Sequence, residues 1–287
     1  MPVSRSRKPS KPATRKIRRS PGPGAPTLQD TTDLVVSILT TAPPEQLVEL
    51  LMPHLLTNIS AGQPANRCVD ASLTLRYAFG QFAIPSELLA VSLITEEPSG
   101  VRREHGSSQP TWSPDGKTFH GHSVLFLTQS QRFVDATADQ FAEVRRHGLG
   151  PVIGRTVAGT EALAAGQVLP AGSSIVVQRG DLLLRYTTTA AEDTPLLAGH
   201  PWVARHADRH RQAGVNLASL TLQALRAPWA IERALQAPYP RLRALLTAIG
   251  DTPYEPDPQK NLVFQFPGGP LRLDEVPLPA GVPAALG

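Results

Sequence analysis

The sequence predicts an α+β fold in which a cysteine-bearing helix packs on an antiparallel sheet. Three observations carry that expectation. Leucines recur at helical spacing at Leu47, Leu50, Leu51, Leu55 and Leu56, and a second helical pattern runs through Val69, Leu73, Arg76 and Tyr77. Strand formers cluster in LLAVSLI, HSVLFLT and RFVDAT. The last two are separated only by a short turn around QSQ, and so short a connection joins antiparallel strands, not parallel ones.

In chain order, residues 1–29 form a basic tail. Eight Arg or Lys and no acid fall within residues 1–27. The whole chain has 28 basic and 24 acidic side chains, so removing those eight leaves 20 against 24, a net of −4. The body is thus mildly acidic and carries a cationic extension. The tail has almost no large apolar groups, cannot offset its ordering entropy, and is expected to be disordered and suited to contacting a polyanion.

A helix is expected from Thr31 or Thr32, either of which suits a cap, and a second after Pro43 and Pro44, divided or kinked at Pro53. AGQPANR is a loop. The helix CVDASLTLRYAFGQF then has Cys68 in its first turn. LLAVSLI is a strand, residues 96–118 read as a long loop anchored by Trp112, and the His122 strand and its partner follow. Farther on, SSIVVQRGDLLLRYTT reads as a hairpin turning at Gly180. Helices are expected over 202–226 and, interrupted by Pro238 and Pro240, over 227–249; LVFQF is a late strand. The expected division is a catalytic core over 30–160 and an extension over 161–287, either part of the same domain or a small second one.

Bulk composition narrows the function classes. Apolar residues make up 41% of the 287, enough for a core, and no apolar run reaches the roughly 18 residues of a membrane span. No secretory leader is evident. One cysteine precludes internal disulfides, so a reducing, cytoplasmic setting is expected.

Cys68 is the centre of the functional reading. A helix start offers free N–H groups and positive dipole character, which favour a thiolate. His122 opens one strand of the hairpin and Asp135 ends the other. Across a tight hairpin the two can face each other, given the right register. Together they supply a nucleophile, a base and an orienting acid. The Cys68 N–H and the Gln63 side-chain amide are candidate oxyanion donors, with Asn66 a nearer alternative to Gln63. Each residue also has a plain structural role open to it: Cys68 as a small buried hydrophobe, Asp135 in a turn into Thr137, His122 rivalled by His120.

The segments NRCVDASLTLRYAFGQFAIPSELLAV, GHSVLFL and RFVDATADQF together resemble the transglutaminase-like branch of the papain-type cysteine enzymes. The likeness covers roughly residues 60–140. It implies a papain/transglutaminase-like core with Cys68 as nucleophile, His122 as base and Asp135 as orienting acid. It also implies a hydrolase or acyltransferase acting on an amide bond through an acyl-enzyme, with a protein, peptide or small amide as substrate and no cofactor or metal. Arg67 stands where the family often has Gly, and Ser123-Val124 where it often has Ala-Trp, so no aromatic wall for an acyl group is expected near the cysteine. The alternative reading is a catalytically inactive binding module of the same fold. A metal site built from His105, His120, His122 and His147 is a third reading. The histidine-rich HPWVARHADRH segment carries no pattern that assigns it a role.

Overall fold

The computed structural model describes residues 28–60, 67–148, 150–155, 169–189 and 197–287. It is α+β. Two helices come first, α1 (Leu28–Thr41) and α2 (Pro44–Ile59). The expected tail over 1–29 lies outside the described residues except for its last two, which already belong to α1. Thr31 and Thr32 therefore sit within that helix and do not cap it. Pro44 occupies the first turn of α2, where a missing N–H costs nothing, and Pro53 is accommodated inside the helix.

The third helix, α3 (Cys68–Gln81), is the one the apolar spacing predicts. It leads into β1 (Ser86–Glu96), which runs antiparallel to β2 (Arg102–Gly106). This hairpin corrects the expectation of a loop over 96–118. The segment RREHG lacks apolar alternation. It pairs because β1 is longer than its apolar run and because opposite charges meet across the ladder, Arg102 with Glu96 at 3.0 Å. The rest of that stretch holds a small two-stranded flap, β3 (Thr111–Trp112) and β4 (Phe119–His120).

After the flap come β5 (His122–Leu127), β6 (Arg132–Asp135), a short helix α4 (Ala142–Arg146) and β7 (Val152–Arg155). The expected hairpin farther on is β8 (Ser174–Arg179) and β9 (Leu182–Thr188), and Gly180 takes a left-handed φ of 62° at its turn. The sheet order is β7-β6-β5-β1-β9-β8, with β2 also on β1, and every pairing is antiparallel. Its two ends come together, since a Cβ on Gly154 of β7 would lie 2.8 Å from Val177 of β8, and the sheet nearly closes on itself.

Strand periodicity then sorts side chains into two cores. Leu89, Val91, Val124, Phe126, Phe133 and Tyr186 fill the inside of the curled sheet. Leu88, Ala90, Leu125, Leu127 and Val134 point outward to the helices. The chain beyond 161 contributes to both cores, because β9 pairs with β1 and the later helices join the outer one. Those helices are α5 (Pro201–Arg205), α6 (Ala207–Leu225), α7 (Ile231–Leu235) and α8 (Pro240–Ile249). A three-stranded sheet, β10 (Tyr254–Pro256), β11 (Leu262–Phe266) and β12 (Gly269–Arg272), follows.

Helix α6 lies directly on α3. At Gly214 an added Cβ would meet the Ala78 nitrogen at 2.9 Å and the Thr74 carbonyl oxygen at 3.0 Å, so only glycine permits this backbone approach. The helix that begins with Cys68 is thereby clamped between the sheet, through Ser72 Oγ donating to the Ser123 carbonyl at 3.2 Å, and α6. No helix among the described residues is long and apolar enough to cross a membrane.

Candidate active site

Cys68 stands in the first turn of α3, where the residue is 8% exposed. The backbone N–H groups of that turn have no partner within the helix. His122 is the first residue of β5 and Asp135 the last of β6. The hairpin register pairs Phe126 with Phe133 and Leu125 with Val134. Continued toward the open end, it sets Asp135 opposite Val124, so His122 is the diagonal neighbour of Asp135 on the same, inner face. Diagonal positions are within reach of an imidazole and a carboxylate.

His122 Nε2 lies 2.7 Å from Asp135 Oδ2, with both side chains almost fully buried. Every oxygen of that carboxylate is used. Oδ2 also accepts from the Tyr186 hydroxyl at 3.0 Å, and Oδ1 accepts from the Thr137 N–H at 2.9 Å and the Thr137 hydroxyl at 3.2 Å. The turn into Thr137 and the partnership with His122 are therefore both real, one on each carboxylate oxygen.

Burial alone would lower the basicity of His122. The Asp135 carboxylate overrides it by charge and hydrogen bond, the Cys68 sulfur adds to the effect, and the imidazole is pushed up to about 10. Burial likewise opposes ionisation of Asp135, but the imidazolium and the donors from Thr137 and Tyr186 hold it below the ordinary carboxylate range. Tyr186, buried against a carboxylate, is held well above the usual tyrosine range and stays a donor. Since Nε2 is taken by Asp135, Nδ1 is the nitrogen left for the sulfur. The sulfur also lies 4.0 Å from the Gly121 carbonyl oxygen.

Cys68 and His122 line a cavity of about 560 Å³, with Asp135 buried behind the His122 ring. Its floor is Cys68 and His122; Asp70 and Lys117 bring one charge of each sign. Four aromatic rings line it, Trp112 and Phe119 from the flap, Phe141, and Trp202 of α5, alongside the polar Thr118, His120 and Gln140. This corrects the expectation that no aromatic wall stands near the cysteine. Its members come from the flap, from Phe141 just before α4 and from a helix over 130 residues downstream of the cysteine, and none adjoins the cysteine in sequence.

Segment 200–210, which the sequence left without a role, belongs to the same surroundings. The His200 ring stacks on Trp112 at 3.9 Å, and its Nδ1 accepts from the Trp202 N–H at 3.2 Å, capping α5. Buried His210 on α6 sits behind Asp70, Nε2 to Oδ1 3.3 Å, without the alignment of a hydrogen bond. Burial keeps the His210 imidazole below its ordinary range, against the pull of Asp70.

A second histidine–carboxylate pair flanks the first. His105 of β2 is bonded through Nε2 to Glu143 of α4, which also accepts from the Thr95 hydroxyl at 3.0 Å. Phe141 lies between the two histidines, stacked on His105 at 4.0 Å and edge-on to His122 at 5.4 Å. His105 is thus committed to Glu143, His147 pairs with Asp181 at 2.9 Å, and His120 is exposed on β4 opposite Thr111. No group of three or more His, Cys, Asp or Glu able to hold a metal ion occurs among the described residues, and the four-histidine reading falls.

Of the residues singled out from sequence, Cys68, His122 and Asp135 come together, whereas Gln63 and Asn66 lie outside the described residues. Sequence reasoning missed Tyr186, Phe141 and the Trp112–Trp202 wall. Tyr186 had a usable signal. It continues the inward series Leu182, Leu184, and a buried phenol needs an acceptor. Compared with known proteins, the chain matches no family model, no curated protein and no solved structure.

Proposed function

We propose that this protein is a thiol-dependent acyl hydrolase or acyltransferase acting on amide or related carbonyl bonds, with Cys68 as nucleophile, His122 as acid and base, and Asp135 as the residue that orients His122. The observation that carries the reading is the pairing at the cavity floor. One side of the His122 ring is fixed by a buried carboxylate with four donors, and the other is left to the only thiol in the chain.

In the reaction, with the proton already on the His122 ring, the Cys68 sulfur forms a bond to the substrate carbonyl carbon. The carbonyl oxygen takes up the displaced electron pair beside the first N–H groups of α3, which suit a developing oxyanion. His122 then protonates the leaving amine or thiol as its bond to carbon breaks. A water molecule, deprotonated by His122, releases the acyl group as a carboxylic acid; an amine in its place gives transfer. Asp135 keeps the ring in one orientation and stabilises its protonated form throughout.

The same reading extends to architecture. A cysteine at the start of a helix clamped on an antiparallel, nearly closed sheet, with the histidine and the acid on adjacent strands, supports a papain/transglutaminase-like core. Substrates are a peptide, protein or small amide able to enter the cavity. The competing reading, an inactive binding module, differs in what His122 does to the thiol. A carbonyl-directed electrophilic probe carrying an amide, followed by intact mass, separates them. Labelling of Cys68 that far outpaces a free thiol and collapses in His122→Ala supports the enzyme; labelling at the free-thiol rate in both proteins sinks it.

A further inference from the structure

The aromatic face of the cavity has more rings than the chemistry at Cys68 needs. Trp112 is its centre. Phe119 tilts against it at 5.4 Å between ring centres, Trp202 at 5.8 Å, and His200 covers one of its faces in a parallel stack. The wall is therefore built and backed in advance, with little ordering left to do when a ligand arrives. It also reaches the nucleophile. The Phe119 ring sits over Gly121, where an added Cβ would come within 2.7 Å of it, and the Gly121 carbonyl faces the Cys68 sulfur. Trp112 Nε1 is buried with no hydrogen-bond partner among the described residues.

We infer that this face is the acyl-group subsite and that it selects a flat, apolar acyl group, aromatic or conjugated, over a short aliphatic one. The inference rests on the reading of Cys68 as nucleophile. Rings at tilted angles offer edges and faces to a planar group, and a cavity of about 560 Å³ falls in the size range of small-molecule sites. A methyl group of an acetyl donor would touch few of these surfaces.

The test uses N-acetylcysteamine thioesters of cinnamic and acetic acid, with acylation of Cys68 followed by intact mass. In each transfer the Cys68 sulfur replaces the leaving thiol on the acyl carbon, and the thiol departs with the proton. Rates are divided by those of free N-acetylcysteine with the same thioesters. The corrected cinnamoyl-to-acetyl ratio is expected to be at least about tenfold in the natural protein and to fall to within about twofold of unity in Trp112→Ala and in Trp202→Ala, with folding checked by circular dichroism. A ratio near unity in the natural protein, or a ratio unchanged in both variants, overturns the subsite. Titration of cinnamamide into Cys68→Ala by calorimetry reads the subsite without any reaction, with binding lost in the added Trp112→Ala or Trp202→Ala change. If acylation proves independent of His122, the proposed chemistry fails while the calorimetry still decides the subsite. If acylation needs His122 but the ratio is flat and cinnamamide does not bind, only the subsite fails.

Discussion

Strand β6 carries two buried charged clusters of similar chemistry, one on each face. On the inner face Asp135 meets His122 and the Tyr186 hydroxyl. On the outer face Arg132 meets Glu49 of α2 at 2.7 Å, and the same carboxylate accepts from the Tyr239 hydroxyl at 2.6 Å, just before α8. Each cluster has a carboxylate, a cationic partner and a tyrosine that burial and the carboxylate keep protonated. What separates them is their surroundings. Arg132 and Glu49 are sealed among α2, β6 and α8 and join three elements. His122 has a nitrogen to spare, a thiol beside it and a cavity in front. A sealed buried ion cluster is thus a structural device by default, and it becomes a candidate for chemistry when one member stays available to a neighbour.

That contrast yields graded tests. The largest effect is expected for His122→Ala, which should slow acylation of Cys68 by about 10²–10⁴-fold, measured by mass shift against time. Glu49→Ala leaves Arg132 buried without its carboxylate and should cost about 3–5 kcal/mol in urea unfolding. The fraction that remains folded should label at the natural rate; a parallel fall in labelling would mean the two clusters are not separable. The tyrosines divide the same way on a smaller scale. Tyr186→Phe and Tyr239→Phe should each cost about 1.5–3 kcal/mol, as a hydrogen bond to a charged group is lost, but only Tyr186→Phe should also change labelling.

The gentlest test is pH. His122 rises from an ordinary 6.5 to about 10 on folding, so its contribution to stability is full below about pH 6.5 and is lost as the pH climbs toward 10. Asp135 is depressed, so its contribution is present above its ordinary 3.8 and is lost as the pH falls below that. The stability difference between the natural protein and Asp135→Asn, from urea unfolding at several pH values, should peak between about pH 4 and 6.5 and shrink on both sides. A flat difference would mean that the pair is not ionised as described.

The inner cluster was partly legible from sequence because its members sit at element boundaries. Cys68 begins a periodic helix, and His122 and Asp135 bracket a hairpin short enough to limit the register. The outer cluster was not legible. Glu49 lies inside a leucine-rich helix, and nothing local tells a buried glutamate from one on a solvated face. Strand β2 escaped notice because charge pairing with β1, not apolar alternation, holds it. The aromatic wall escaped because Trp112 and Trp202 are 90 residues apart, and only the packing of α5 and the flap unites them. Gly214 stands inside a helix, where glycine is unfavourable, and its purpose is visible only against α3.

Four residues, Arg132 to Asp135, thus hold opposite charges at opposite ends and on opposite sides. A slip of β6 by a single residue would turn the arginine into the curled sheet and the aspartate toward the leucines of the helices, stranding both ions in oil at once. Misaligned versions of this hairpin are penalised twice, and the strand that orients the imidazole has in effect one permitted alignment.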